Sequence, residues 1–296
     1  VLNRVLDLLA QQRWFDTRTP YEHTIHLTRG ACLWMLLSRR GVCDTYVKFT
    51  ERMSLREEAA RYAAASRSYP SLVPSFVGHA TDGALEILVC RAIDYRAVER
   101  RWLLDAGARD RPIGDLVAYF EAMPGARAHG HGAPNTQLLS AIADYHAGRA
   151  LNPLARRWLD DEAAERVAAL TPMPQHGDLV LNNIGRTDAD RLVLFDWEDF
   201  GAVSLPGLDL FTLELSLAGQ PSQLRASRSR RSAGMRRLVD DACAAMQLAR
   251  ADYEVLTPIY ALAFRYLKRN YGDDVRERLD QVLRDLDATS PQPAIP

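Results

Sequence analysis

"PMPQHGDLVLNNIG" at residues 172–185, followed by "RLVLFDWEDFG" at 191–201, is the stretch whose reading decides the fold. His176, Gly177, Asp178 and Asn183 fall in one short polar segment, and a strongly apolar strand then delivers Asp196. "NNIG", "RTDADR" and "RLVLFDW" read as a hairpin whose second strand ends at Asp196, which returns the chain beside its start. Asp178 precedes Asn183 by five residues, close enough for a tight loop to bring both side chains to one opening. Asx residues that cap their own turns would give a similar polar segment. The rest of the chain separates the two readings.

A phosphoryl-transfer site needs hard oxygen ligands for Mg²⁺, a carboxylate to receive the proton of an acceptor hydroxyl, and a lysine fixed against the phosphates. Asn183 and Asp196 supply an amide and a carboxylate oxygen for one metal, with Asp178 nearby as base. Upstream, Lys48 sits in the apolar strand "TYVKF", and the helix "SLREEAARYAAAS" follows it. Ser54 and Glu57 have the spacing of a capping box at that helix start. An inward stripe of Leu55, Ala59, Tyr62 and Ser66 favours Glu58 over Glu57 as the carboxylate that pairs with Lys48.

Working outward, "HTIHLT", "CLWMLLS", "TYVKF", "PSFVGHA" and "ALEILVCRAI" predict five antiparallel strands, with one helix inserted after the third. From about Asp94 the apolar spacing becomes helical. "DYRAVERRWLLDA", "GDLVAYFEAM", "NTQLLSAIADYHAGRAL" and "PLARRWLDDEAAERVAAL" precede the hairpin. "LDLFTLELSLAG", "SAGMRRLVDDACAAMQLA", "YEVLTPIYALAFRYLKRN" and "DVRERLDQVLRDL" follow it. The expected architecture is α+β, with a small antiparallel β-rich lobe over residues 1–93 and a larger, mostly helical lobe over 94–296. "MPGARAHGHGAPN" is a glycine-rich connector, whose His129 and His131 read as exposed before they read as metal ligands. Arg225 to Arg237 carries a basic run that reads as a solvated face before an anion contact. Trp34, Trp102 and Trp158 read as core residues, and the tail "SPQPAIP" as disordered.

With 296 residues, 47% hydrophobic and 25% charged, the composition is that of a globular protein large enough for two lobes. A formal net charge of -1 argues against a general nucleic-acid surface. The four cysteines, Cys32, Cys43, Cys90 and Cys243, form no C-x-x-C pair, so a disulfide framework or zinc site is not expected and a reducing cytoplasm is the simpler home. No apolar run reaches the roughly eighteen residues that would span a bilayer. The start, "VLNRVLDLLAQQRWF", reads as an amphipathic helix and not a signal peptide, and its lack of an initiator Met implies a processed or trimmed start.

Asp178-x-x-x-x-Asn183, a strand pair and Asp196 resemble the catalytic-loop and metal-loop signatures of the protein-kinase-like fold. "HGDLVLNN…LVLFDWEDFGAVSLPGLDL" looks like the aminoglycoside phosphotransferase and choline kinase branch of it. "LLSAIADYH", ending at His146, is similar to the helix that precedes the catalytic loop in that branch. The resemblance implies an ATP- or GTP-using, Mg²⁺-dependent kinase of a small-molecule hydroxyl. It makes Asp178 the base, Asn183 and Asp196 the metal ligands, and Lys48, anchored by Glu58, the contact to the α- and β-phosphates. His176 would brace the loop, Asp209 would hold its backbone from below, and Glu198 would be a further metal or substrate contact. The phosphate-covering turn retains only Gly30, and Val180, Leu181 and Asn182 stand where many relatives have His, Pro and Gly. The segment "LLAQQRWFDTRTP" resembles the start of maltokinase-like sugar kinases. The alternative function is a kinase-fold regulator that binds nucleotide without turnover. An A-P-E signature and an activation segment are missing, which argues against a protein kinase.

Overall fold

The computed structural model describes residues 1–27, 32–104, 111–126, 135–218, 224, 231 and 233–289. Gly30, His129, His131, the segment 225–230 and the tail 290–296 lie outside the described residues. The chain divides into two units, residues 1–96 with 185–198, and residues 97–184 with 199–296.

The first unit is built on an antiparallel sheet of five strands: β1 (Glu22–Leu27), β2 (Leu33–Arg39), β3 (Val42–Thr50), β4 (Phe76–Asp82) and β5 (Leu85–Arg91). Their order is β1-β2-β3-β5-β4. Arg40 and Gly41 join β2 to β3, both in the left-handed region at φ +52° and +77°. Two such residues in succession make the turn whose twist suits a two-residue hairpin, and Arg39 accordingly pairs with Val42. Side chains alternate across a strand. Met35, Leu37, Val47, Phe49, Ile87 and Val89 share one core with Val5, Leu8 and Leu9 of helix α1 (Leu2–Gln11) and with Phe15. Lys48 lies between Val47 and Phe49, so the pleat turns it to the opposite face, towards helix α2 (Arg56–Ser68).

The expected capping box at α2 does not form. Leu55 is the N-cap residue and contributes no side-chain cap. Glu86 on β5 reaches across to take the Leu55 N–H at 2.7 Å and the Ser54 hydroxyl at 3.2 Å, while Glu57 pairs with Arg61. A strand carboxylate therefore supplies the anion at this helix start that sequence spacing had assigned to Glu57. Ala65 is fully buried on the inner face of α2, and its neighbour Ser66 is only half-buried.

Residues 185–198 complete this unit. Strands β7 (Ile184–Arg186) and β8 (Leu192–Leu194) form a hairpin that β6 (Arg96–Ala97) extends to three strands. Its turn is closed by Arg186, whose Nε donates to Asp190 Oδ1 at 2.8 Å. The Leu194 N–H donates to the Leu72 carbonyl at 2.7 Å, and Trp197 stacks on Tyr69 with ring centroids 5.6 Å apart.

The second unit is helical: α3 (Arg100–Leu104), α4 (Arg111–Ala126), α5 (Asn135–His146), α6 (Asn152–Trp158), α7 (Asp161–Ala169), α8 (Leu208–Ala218), α9 (Ala233–Ala245), α10 (Arg250–Val255), α11 (Thr257–Leu267) and α12 (Asp273–Thr289). α8 and α11 are apolar on nearly every side and are buried on nearly every side, as central helices must be. Two expected single helices are each divided. Asp160 ends one by capping the next, its carboxylate taking the Ala163 N–H at 2.8 Å. Pro258 in the first turn of α11 separates that helix from α10. The basic run also departs from a wholly solvated face: Arg231 is buried between Glu214 (2.6 Å) and Glu254 (2.9 Å), and Tyr253 donates to the same Glu214 at 2.6 Å. All four cysteines are in the thiol form, outside any disulfide. Among the described residues, no helix is long and apolar enough to cross a membrane.

Candidate active site

In the first unit, Lys48 gathers carboxylates. Its Nζ lies 2.9 and 2.8 Å from the two oxygens of Glu58 and 3.1 Å from Glu198 Oε2. Glu57 is not a partner; its ion pair is with Arg61 on the next turn of α2. Arg61 in turn donates to the Glu198 carbonyl at 2.7 Å, which ties the end of the hairpin segment to α2. Lys48 is 7% exposed. Burial alone would lower its pKa, but Glu58 and Glu198 outweigh burial and hold it above the ordinary lysine range. The ammonium is thus permanently charged and fixed from one side. Asp196 also acts on Lys48 through its charge and occupies the left-handed region at φ +61°, a conformation that Asp tolerates better than most residues.

In the second unit, Asp209 organises the loop that carries Asp178. Asp209 Oδ2 accepts the His176 N–H at 2.7 Å and the Tyr119 hydroxyl at 2.6 Å, and Oδ1 accepts the Gly177 N–H at 2.9 Å. Burial pushes this carboxyl above its usual range, and His176 with the three donors pulls the other way. Gly177 is at φ +87°, and a Cβ there would lie 2.8 Å from the Asp199 Cβ, so the position demands glycine. His176 Nδ1 faces the Asp178 N–H at 3.3 Å. The Asn183 amide nitrogen donates to the Asp178 carbonyl at 2.9 Å, which leaves Oδ1 as the acceptor end of that side chain. Asn183 in this unit and Asp196 in the other are both hard oxygen donors, and that chemistry fits Mg²⁺.

The Asp178 carboxylate has a partner that sequence reasoning missed. Lys268 Nζ donates to Asp178 Oδ2 at 2.9 Å and to Asp199 Oδ2 at 2.8 Å, with the Tyr271 hydroxyl at 3.3 Å. Lys268 follows α11 and is 3% exposed. Burial alone would lower its pKa, yet Asp178 and Asp199 raise it above the lysine range. The only sequence signal was helical spacing, since Tyr260, Phe264 and Lys268 recur every four residues.

His146, at the end of α5, is 1% exposed, and among the described residues neither ring nitrogen has a hydrogen-bond partner. Burial first, then Arg265 and Arg149 against the opposing pull of Asp280, takes its pKa down from 6.5 to about 4. The unfolded chain binds a proton there that the folded chain refuses. The stability contribution is therefore complete above about pH 6.5 and is lost as pH falls towards 4, by about 3 kcal/mol. Thermal unfolding followed from pH 7 to pH 4.5 should show this loss, and His146→Phe should flatten the pH dependence relative to the parent.

The chain matches the model of the phosphotransferase enzyme family over residues 39–238. It belongs to that family. Solved structures show what fold the phosphotransferase has. The GDP and kanamycin complex of APH(2")-IIia aligns with a TM-score of 0.61 at 13% identity, covering 98% of this chain and 100% of that one. The choline kinase LicA from Streptococcus pneumoniae aligns at 0.57 and 14%, over 97% and 99% of the two chains. The macrolide 2'-phosphotransferase MphH from Brachybacterium faecium aligns at 0.61 and 14%, over 99% of each. At these identities the likeness is one of fold, and the fold is protein-kinase-like. No curated protein matches the phosphotransferase.

Proposed function

We propose that the phosphotransferase moves the γ-phosphoryl group of ATP or GTP to a hydroxyl of a small molecule, of the antibiotic, sugar or amino-alcohol type. The observation that carries this reading is the loop from His176 to Asn183, where Asp209 fixes the backbone and the Asn183 amide nitrogen is engaged by the Asp178 carbonyl. Asp178 is the proton acceptor. The acceptor oxygen bonds to the γ-phosphorus as the bond from that phosphorus to the β–γ bridging oxygen breaks, the nucleoside diphosphate leaves, and the hydroxyl proton passes to Asp178. Asn183 and Asp196 would hold Mg²⁺, which would neutralise charge on the phosphates. Lys48 contacts the phosphates, with Glu58 and Glu198 setting its position. The structural neighbours are named for a kanamycin complex, a choline kinase and a macrolide phosphotransferase, and this supports the acceptor class.

The test is a transfer assay with Mg·ATP and Mg·GTP against a panel of aminoglycosides, macrolides, sugars and amino alcohols. Phosphorylation of a hydroxyl on one of them is the expected result. Tight nucleotide binding with no transfer would overturn the enzyme reading in favour of a silent nucleotide-binding regulator. Within an active panel, Glu58→Gln should reduce kcat/KM for Mg·ATP by roughly 10–100-fold, because a charge-assisted bond to the phosphate-binding lysine is lost. Glu57→Gln, at the neighbouring position, should leave that constant near its parental value.

A further inference from the structure

We propose that Lys268 is a positioning residue of the transfer site, holding Asp178 by one carboxylate oxygen so that the other receives the proton. The inference rests on the function proposed above. A lysine ammonium has three donors, and here it meets Asp178 Oδ2, Asp199 Oδ2 and the Tyr271 oxygen at 2.9, 2.8 and 3.3 Å. Its hydrogen-bonding capacity is filled, so its place is defined from three directions. Asp178 Oδ2 is thereby engaged, while among the described residues no donor reaches Oδ1. A proton acceptor held by one oxygen has a fixed orientation for the other, and orientation is what the loop backbone alone does not give the side chain.

The loop cannot supply this cation itself. Between Gln175 and Asn183 the one side chain able to carry positive charge is His176, and its Nδ1 faces the Asp178 N–H. Position 180, next but one to the base, is valine. The ammonium instead arrives from a turn 90 residues away in sequence. A buried ion pair is a poor device for stability, since apolar residues of similar volume serve as well or better. A buried ammonium placed on the proposed base is better explained by what it does to that base. Asp199 completes the arrangement: it shares the ammonium with Asp178, and its Cβ also sits against Gly177.

The experiment compares the parent with Lys268→Met, Lys268→Arg and Lys268→Ala, using Mg·ATP and the best acceptor from the panel. Lys268→Met should lower kcat about a hundredfold with the KM for Mg·ATP little changed. Lys268→Arg should retain part of the rate. Added methylamine or ethylamine should restore Lys268→Ala by about tenfold in a saturable way and leave Asp178→Ala untouched. Unfolding temperatures are measured for every variant, because a purely structural lysine would lose rate in step with stability and would gain nothing from free amine. Full kcat in folded Lys268→Met, or an Ala variant deaf to both amines, overturns the inference while the functional reading stands. A parent that transfers to no acceptor overturns the functional reading, and the inference falls with it.

Discussion

Asp178→Asn should fold as the parent does and lose roughly 10²–10⁴-fold in kcat, with the KM for Mg·ATP little changed. The size follows from what the substitution removes. Asparagine keeps the shape of the side chain and an oxygen that can still accept from Lys268. It cannot take the proton of an acceptor hydroxyl. The backbone contacts of the loop, from His176 and Gly177 to Asp209 and from Asn183 to the residue 178 carbonyl, do not involve the carboxylate. Lys268 also retains Asp199 at 2.8 Å, so no buried charge is left alone. A drop in kcat/KM caused instead by a weaker KM for nucleotide would place the residue in binding and not in the chemistry. Full kcat with a genuine acceptor would remove Asp178 from the mechanism.

The parts of this molecule that were legible in the sequence are those governed by local period and spacing. Lys48 could be read because it interrupts an apolar strand, and alternation then puts it opposite Val47 and Phe49. The stripe on α2 distinguished Glu58 from Glu57 for the same kind of reason, one turn of helix being a local matter. The loop residues Asp178 and Asn183 stood out by their interval, and Asp196 by following an apolar strand, although β8 ends at Leu194 and not at Asp196 as the sequence suggested. Features built from distant residues were not legible. Lys268 meets Asp178 across 90 positions, and Tyr119 meets Asp209 across 90 more, with no pattern that links either pair. Glu86 displaced the expected capping box because strand β5 happens to deliver a carboxylate there. The helix breaks at Asp160 and Pro258 did have local signals, a capping residue and a first-turn proline. Apolar periodicity ran on through both and hid them. Arg231 read as solvated because a run of arginines usually is. Its burial depends on Glu214 and Glu254 arriving from two other helices.

Asp209→Ala should be the most destabilising single change near the site, by at least about 3 kcal/mol. Three buried donors converge on this carboxylate: the His176 and Gly177 amides and the Tyr119 hydroxyl. Each buried donor that loses its partner costs about 1–3 kcal/mol, and alanine takes the carboxylate from all three, the His176 N–H keeping its longer contact of 3.3 Å to the Tyr119 oxygen. For a chain of this size the unfolding midpoint should fall by about 6–12 °C, which thermal unfolding measures directly. Asp209→Asn is the informative companion. With its amide oxygen in the Oδ2 position it keeps the His176 N–H and the Tyr119 hydroxyl, and only its NH₂ is then set against the Gly177 N–H. The loss should be about a third as large, roughly 1–3 kcal/mol. Activity should follow a different order from stability. Asp178→Asn keeps its midpoint and loses its rate, whereas Asp209→Asn loses some of both, because a loosened Gly177 lets the Asp178 loop wander from its place. If Asp209→Ala melted with the parent, the three donors would have found other partners, and the loop would be held by something other than this carboxylate.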